Sequence, residues 1–456
     1  MDMPSPHRMC GEGMSFMILG KQLFRNTALL TVSSLVMRCV GMLWQIWLTG
    51  RIGAAGIGLF QLVMSVGFLF VTVAVSGIRF AVTRLLAEEL GPGRQGSVGG
   101  VVLRAGVYAM FFGFLAMGVL YFGAEPIGFL WIGDARTVLS LRLMALSLPA
   151  AGLSSLMGGY FTAVGRVWKS AAEQFAEQFL RMLLVVLALR WAVTEDLSIV
   201  CAAVVGAGTA ADIAGAFAML VLYLFDRRRY AGSGAVGTSL TPRMLKIAFP
   251  LALSAYARGA LNTFRQLLVP KGLRLSGLSA DAALTGYGVI NGMAMPLLTF
   301  PTCLPAALAE LLVPALTEAQ VTGQTQLLRR TVEQLLRKTL LFSLAAAAFF
   351  FVSADMLGGL IYHNAQCAMF IRVFAPMVPF IYTDIVTDGC LKGLGEMMRS
   401  MTYNIAEAAL GLVLVWALLP TWALAGYVFV LYVCEIFNFA LSLRRLHTVT
   451  GCRIFG

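Results

Sequence analysis

Residues 33–89 read SSLVMRCVGMLWQIWLTGRIGAAGIGLFQLVMSVGFLFVTVAVSGIRFAVTRLLAEE. Two apolar segments flank a short glycine-rich link, Gly50 to Gly58, and each carries one arginine, Arg38 and Arg79. A charge at membrane depth costs about 2.5–3.5 kcal/mol on insertion scales. It therefore usually faces a cavity or a partner and marks a functional path. Working outward from this stretch, the rest of the chain reads as further copies of the same helical-hairpin pattern.

The 456-residue chain is 59% hydrophobic and only 12% charged, with a mean hydropathy of +0.83. Soluble domains carry roughly a quarter charged residues. The composition therefore indicates an all-α polytopic membrane protein. A span needs about 20 apolar residues, and twelve candidates appear: 24–49, 57–82, 101–123, 138–162, 171–193, 198–224, 245–270, 284–312, 339–362, 368–391, 401–419 and 421–443. With that count, 22 of the 34 basic residues fall in links or at span ends on one side, six on the other and six deeper within spans. The positive-inside rule then places both termini of a multi-pass membrane protein in the cytoplasm. It also accounts for the net charge of +12 without nucleic acid. Residues 1–23 show no signal-peptide core and read as a cytoplasmic tail, as do 444–456. The eight cysteines form no C-x-x-C pair, so neither a disulfide framework nor a zinc site is expected.

The longest polar break, 225–244, reads DRRRYAGSGAVGTSLTPRML. Its Gly/Ser run and charges mark a linker between two lobes of six spans, 24–224 and 245–443. The lobes repeat. Residues 160–189 align with 390–419, pairing Gly165 with Gly395, Ser170 with Ser400 and Glu177 with Glu407. Further upstream, residues 82–106 align with 314–338. Six spans per lobe make this a parallel repeat about an axis along the membrane normal. Transporters built so hold substrate near the midplane, between the lobes.

The candidate substrate-binding residues are those that place polar groups inside spans. On the first span Arg38 and Gln45 are seven residues apart and share a face. On the seventh, Arg258, Asn262 and Arg265 form a polar stripe, and Arg79 sits late in the second. Arginines from both lobes would attract an anion, and guanidinium suits phosphate through its planar paired donors. Glu173, Glu177 and Arg181 at i, i+4 and i+8 of the fifth span suggest an internal ion pair. Glu407 lacks a basic residue four positions on, where Gly411 stands. It is expected at a helix–helix contact, with cation binding as the alternative. Asp212, Glu310, Asp384, Asp388 and Glu435 are acids in or near spans that could carry protons or sodium. Pro and Gly crowd the eighth span and supply bends or hinges. No P-loop, metal set or Ser-His-Asp arrangement appears, so the chain does not read as an enzyme.

Two six-span lobes in parallel repeat and the run 37–90 resemble the polysaccharide-flippase branch of the multidrug/oligosaccharidyl-lipid/polysaccharide exporter superfamily. The resemblance is to its stage V sporulation protein B type, relatives of the lipid II flippases. It is sharpest at Arg38, Gly41, Gln45, Gly53, Gly56, Gly58, Gln61, Ser76, Gly77, Arg79, Arg84 and Glu88. It implies a MATE-like fold with a V-shaped cavity. It also implies movement of an undecaprenyl-pyrophosphate-linked sugar to the outer leaflet, in peptidoglycan or other envelope polysaccharide synthesis, sporulation among its settings. The pyrophosphate would be held by Arg38, Arg79 and Arg258, with Arg265 a further candidate. No cofactor is implied; a membrane potential or a gradient of protons or sodium would drive transport. The expected partners are the lipid-linked oligosaccharide, the bilayer and, as an added possibility, cell-wall synthesis enzymes. Many relatives carry two further C-terminal spans that form a lipid-tail groove, and this chain has twelve. The competing reading is a cation-coupled multidrug antiporter on the same scaffold, which needs acids in the cleft.

Overall fold

The computed structural model describes residues 6–75, 77–89, 98–191, 196–227, 240–321 and 324–451. Most of the 225–244 linker lies outside them. Every regular element is helical. Helix Pro6–Val75 holds spans one and two and breaks at Gly53, whose φ of 71° is open to a residue without Cβ. The helix begins well inside the tail expected over 1–23. Span two continues through Ile78–Glu89 after a positive-φ glycine at Gly77. Span three is Val98–Phe122; span four is Val138–Ala145 with Leu148–Ala163, bent by 43°. Span five is Val167–Trp191 and span six Leu197–Asp226.

The second half follows the same course. Span seven is Leu240–Leu275; span eight runs from Ala280–Gly288 to Cys303–Val321; span nine is Thr325–Tyr362. Span ten joins Ala365–Phe374 to Val378–Gly393. Helix Met397–Thr450 holds spans eleven and twelve, broken at Ala423 (φ 49°) three residues after Pro420, and it continues as helix through most of the expected tail. Spans five and seven are the least hydropathic of the twelve described. They carry the Glu173–Glu177–Arg181 set and the Arg258–Asn262–Arg265 stripe.

The parallel repeat is visible in backbone and side chains at one spacing of 230 residues. Gly133 and His363 both end their helices in the left-handed region, and the next residues, Asp134 and Asn364, donate N–H to Gly128 O and Gly358 O at 3.0 and 3.1 Å. Gly165 and Gly395 have φ of 71° and 75°. The ion pair Arg142–Glu125 (2.6 Å) recurs as Arg372–Asp355 (2.6 Å). On spans three and nine, Val98, Val102, Ala105 and Leu120 are buried like Leu328, Val332, Leu335 and Phe350. Burial thus aligns these spans two residues away from the upstream sequence alignment of 82–106 with 314–338. Two apolar side chains meeting a neighbouring helix fix register more tightly than a few matching letters.

Candidate functional site between the lobes

The basic links share one side of the slab, here called the basic side. On the opposite side the lobes meet backbone to backbone. A Cβ added at Gly58 of span two would lie 2.3 Å from Leu284 O of span eight, and one at Gly288 would lie 2.1 Å from Ala54 O. Only glycine allows that approach. Above this contact, Arg136 bonds both Asp134 (2.8 Å) and Asp281 at the start of span eight (3.1 Å), while Arg274 of span seven donates to Gly133 O at 2.7 Å. Burial pushes the Asp134 carboxyl up, but the Arg136 side chain and N–H, with Arg274, outweigh it and hold it below the usual carboxylate range. These contacts close the cleft on the opposite side.

Toward the basic side of that closure lies an inter-lobe cavity of about 320 Å³. Arg38, Gly41 and Gln45 of span one, Gln61 of span two, and Pro296 and Thr299 of span eight line it. Span eight is irregular here: Val289–Ala294 is a π-turn and Phe300–Thr302 a 3-10 turn. Such turns release carbonyls from the α-helical ladder. Gln45 Nε2 donates to Gly292 O at 3.2 Å, and Arg38 Nη1 donates to Thr302 Oγ1 at 3.2 Å. The Arg38 side chain is nevertheless exposed and has no carboxylate partner among the described residues. The chamber therefore offers guanidinium, amide and hydroxyl groups and, among its described lining, no acid. That set suits an anion.

The structure brings together Arg38 and Gln45 and separates the other candidates. Arg79 is exposed, with its guanidinium 3.5–3.7 Å from the position a Cβ would take at Gly158 of span four. Arg258 is exposed and has no ion pair or hydrogen bond among the described residues. Neither lines the Arg38 cavity. Asn262 has its Oδ1 buried without a partner among the described residues. Arg265 differs from the expected uncompensated cation: it is largely buried and paired with Glu407 of span eleven at 2.5 Å. Its side chain occupies the space over Gly411, where a Cβ would meet Arg265 Cδ at 2.7 Å. In the first half the equivalent acid, Glu177, takes its arginine from its own helix, Arg181 (2.6 Å), which also bonds Asp212 of span six. Glu407 accordingly stands at a helix–helix contact, made by an arginine from span seven. Glu310 lies where side chains are outside the described residues.

Gln61 and Thr299 in the cavity lining, and Thr302 behind Arg38, are groups that the polar stripes did not single out. Gln61 is a lone polar residue in GLFQLVM, and both threonines adjoin the prolines of span eight. No three His, Cys, Asp or Glu side chains converge as a metal set among the described residues. On the basic side Arg243, at the start of span seven, bonds Glu88 at 2.5 Å and Glu89 at 3.2 Å. Arg243, then Arg84, hold the Glu88 carboxyl below its ordinary range.

Comparison with known proteins now bears on this geometry. Residues 23–320 match the polysaccharide biosynthesis protein family. The chain is 25% identical over 416 residues to stage V sporulation protein B of Bacillus subtilis (strain 168), covering 90% of this chain and 80% of that protein. It is 23% identical over 431 residues to the lipid II flippase MurJ of the same organism, covering 87% and 77%. Among solved structures it resembles an inward-facing multidrug-resistance MATE family transporter of the MOP superfamily. That match has a TM-score of 0.71 at 13% identity and covers 90% of this chain and 95% of the other.

Proposed function

Because the chain belongs to the polysaccharide biosynthesis protein family, whose match spans well over half of it, we propose that it is a flippase for a lipid-linked saccharide. Two relatives, one named a sporulation protein and one a lipid II flippase, support that class. The substrate in this reading is an undecaprenyl pyrophosphate carrying a peptidoglycan precursor or another envelope saccharide. The basic side is the cytoplasm, both termini lie there, and the membrane is the bacterial cytoplasmic one.

The observation that carries the reading is the chamber around Arg38, whose described lining holds no acid, closed on the side opposite the basic links. A pyrophosphate entering from the cytoplasmic side meets Arg38 first as a charge and then as a fork of donors. Gln45, Gln61, Thr299 and Thr302 offer further hydrogen-bonding groups around the bound group. Arg79, exposed nearer the basic side, and the exposed Arg258 would steer the anion toward the chamber. Parting Gly58 from Gly288 and breaking Arg136–Asp281 would open the other side, as alternating access requires. A membrane potential or an ion gradient would supply the driving force. A cation-coupled drug antiporter would need carboxylates in the chamber, and like charge at Arg38 would repel its substrates.

The test is leaflet exchange of a fluorescent undecaprenyl-pyrophosphate saccharide in proteoliposomes, comparing wild type with Arg38→Ala and Arg258→Ala. Exchange by wild type and its loss in Arg38→Ala is the expected result. No exchange by wild type, with or without an imposed potential, would remove the flippase reading.

A further inference from the structure

A cavity larger than the chamber lies outside it. It is a groove of about 1420 Å³ between spans three, four and six. Span three forms one wall from Val98 to Leu115, and Leu153, Leu156 and Met157 of span four and Leu220 and Leu224 of span six form the rest. Its surface is almost wholly apolar, and the one charged lining residue is Arg227, at the basic-side end. Arg227 is exposed and has no ion pair or hydrogen bond among the described residues. Its neighbour Asp226 is fixed by Tyr160 (3.0 Å), Lys169 (2.9 Å) and Arg166. That anchoring holds the end of span six, and so Arg227, at the mouth of the groove.

Among the described residues, the two halves differ at the basic-side end of this groove. Gly99, Leu103, Gly106 and Val107 of span three correspond, at the 230-residue spacing, to Arg329, Glu333, Leu336 and Arg337 of span nine. At that place in the second lobe the surface is polar, lined by Arg330, Glu333, Gln334 and Arg337. Two helices of common design thus differ where one presents glycine notches and exposed apolar side chains and the other presents charge. A Cβ at Gly99 would meet nothing within 4 Å, and one at Gly106 only Leu156 Cδ2 at 3.7 Å, so the notches open to the groove.

Length selects the occupant. From Val98 to Leu115 an α-helix rises ~26 Å. One leaflet of the hydrocarbon core is only ~15 Å deep. A chain that fills the groove is therefore longer than a leaflet is thick, and its anionic end meets Arg227 at the cytoplasmic surface. The geometry points to a docking groove for the polyisoprenoid tail of the lipid-linked substrate, on the outer face of the first lobe. This inference rests on the flippase reading for the identity of the lipid. It places the tail site on the first six spans. The tail docks from the inner leaflet, its pyrophosphate is held at Arg227, and the head is then presented to the chamber.

Two measurements test it. The first compares leaflet exchange of the same pyrophosphate saccharide on an undecaprenyl and on a farnesyl chain, in wild type and Gly106→Phe. The added Cβ meets only the Leu156 side chain, at 3.7 Å, so the substitution begins without a backbone clash. Exchange of the undecaprenyl lipid falls about tenfold, while that of the farnesyl lipid, which also reports correct folding, is unchanged. Equal rates for Gly106→Phe and wild type on the long chain overturn the proposal. The second is photolabelling of wild type in phosphatidylglycerol vesicles with diazirine-tagged undecaprenyl pyrophosphate. Label on Leu103, Val107 or Phe111, displaced by untagged undecaprenyl pyrophosphate and not by extra phosphatidylglycerol, supports the groove. Displacement by phosphatidylglycerol makes it a site for ordinary lipid, and label confined to other spans places the tail elsewhere; either refutes it. If wild type exchanges no lipid at all, the flippase reading fails, while the photolabel still reports on the groove.

Discussion

Arg265 and Arg181 perform one task from two different helices, and this equivalence predicts a rescue. In Arg265→Ala, Glu407 is left with no cation, and its side chain is only 18% exposed. Removing one partner of a buried pair costs about 3–5 kcal/mol. In Gly411→Arg the new Cβ would lie 2.7 Å from Arg265 Cδ and 2.8 Å from Nη1. Overpacking of that kind costs about 1–3 kcal/mol, and two cations then crowd one acid. In the double variant Arg265→Ala/Gly411→Arg the clash with Arg265 disappears, leaving Cys434 Sγ at 3.1 Å from the new Cβ. The new arginine stands four residues after Glu407, as Arg181 stands four after Glu177. It should be more stable than the sum of the single effects by about 2–3 kcal/mol. SDS-titration unfolding of the purified protein in micelles, as a full double-mutant cycle, measures this. Additive effects would refute the claim that the two halves solve one electrostatic problem in two ways. Leaflet exchange by the double variant adds a second reading. Retained exchange makes Arg265 a partner of Glu407 alone; lost exchange with restored stability returns it to the substrate path.

Other outcomes follow from the closure on the opposite side. Gly288→Ala places a Cβ on Ala54 O, which should disfavour the closed form by about 1–3 kcal/mol. A Gln61→Cys reporter should then react faster with a membrane-impermeant maleimide added from that side; an unchanged rate contradicts the seal. Asp134 has a carboxyl pKa depressed in the folded protein. Its contribution is therefore complete above the unfolded value of about 3.9 and is lost as pH falls through the folded value. The thermal midpoint in micelles should drop as pH falls below about 4, and Asp134→Asn should remove that part of the drop; an identical pH profile in the variant argues against it.

Membrane embedding, the number of spans and the repeat of two six-span halves were determined by the sequence itself. Each depends on signals local to the chain: runs of about 20 apolar residues, the side on which arginines and lysines collect, and matched glycines such as Gly165 and Gly395. The bend between spans one and two was equally legible, because Gly50 to Gly58 offers the positive φ that Gly53 adopts. The candidate site was legible only in part. Arg38 and Gln45 do line one chamber, yet Arg265 looks the same as Arg38 in a hydropathy trace and is neutralised by an acid 142 residues away. Arg38 finds Thr302 at a separation of 264 residues. Whether a buried arginine is a structural partner or an open ligand depends on what lies within a few ångströms of its guanidinium, and those neighbours come from other helices. The groove on spans three, four and six was hidden for the same reason. Gly99 and Gly106 are ordinary glycines in sequence, and only packing against spans four and six leaves their notches open to one long cavity.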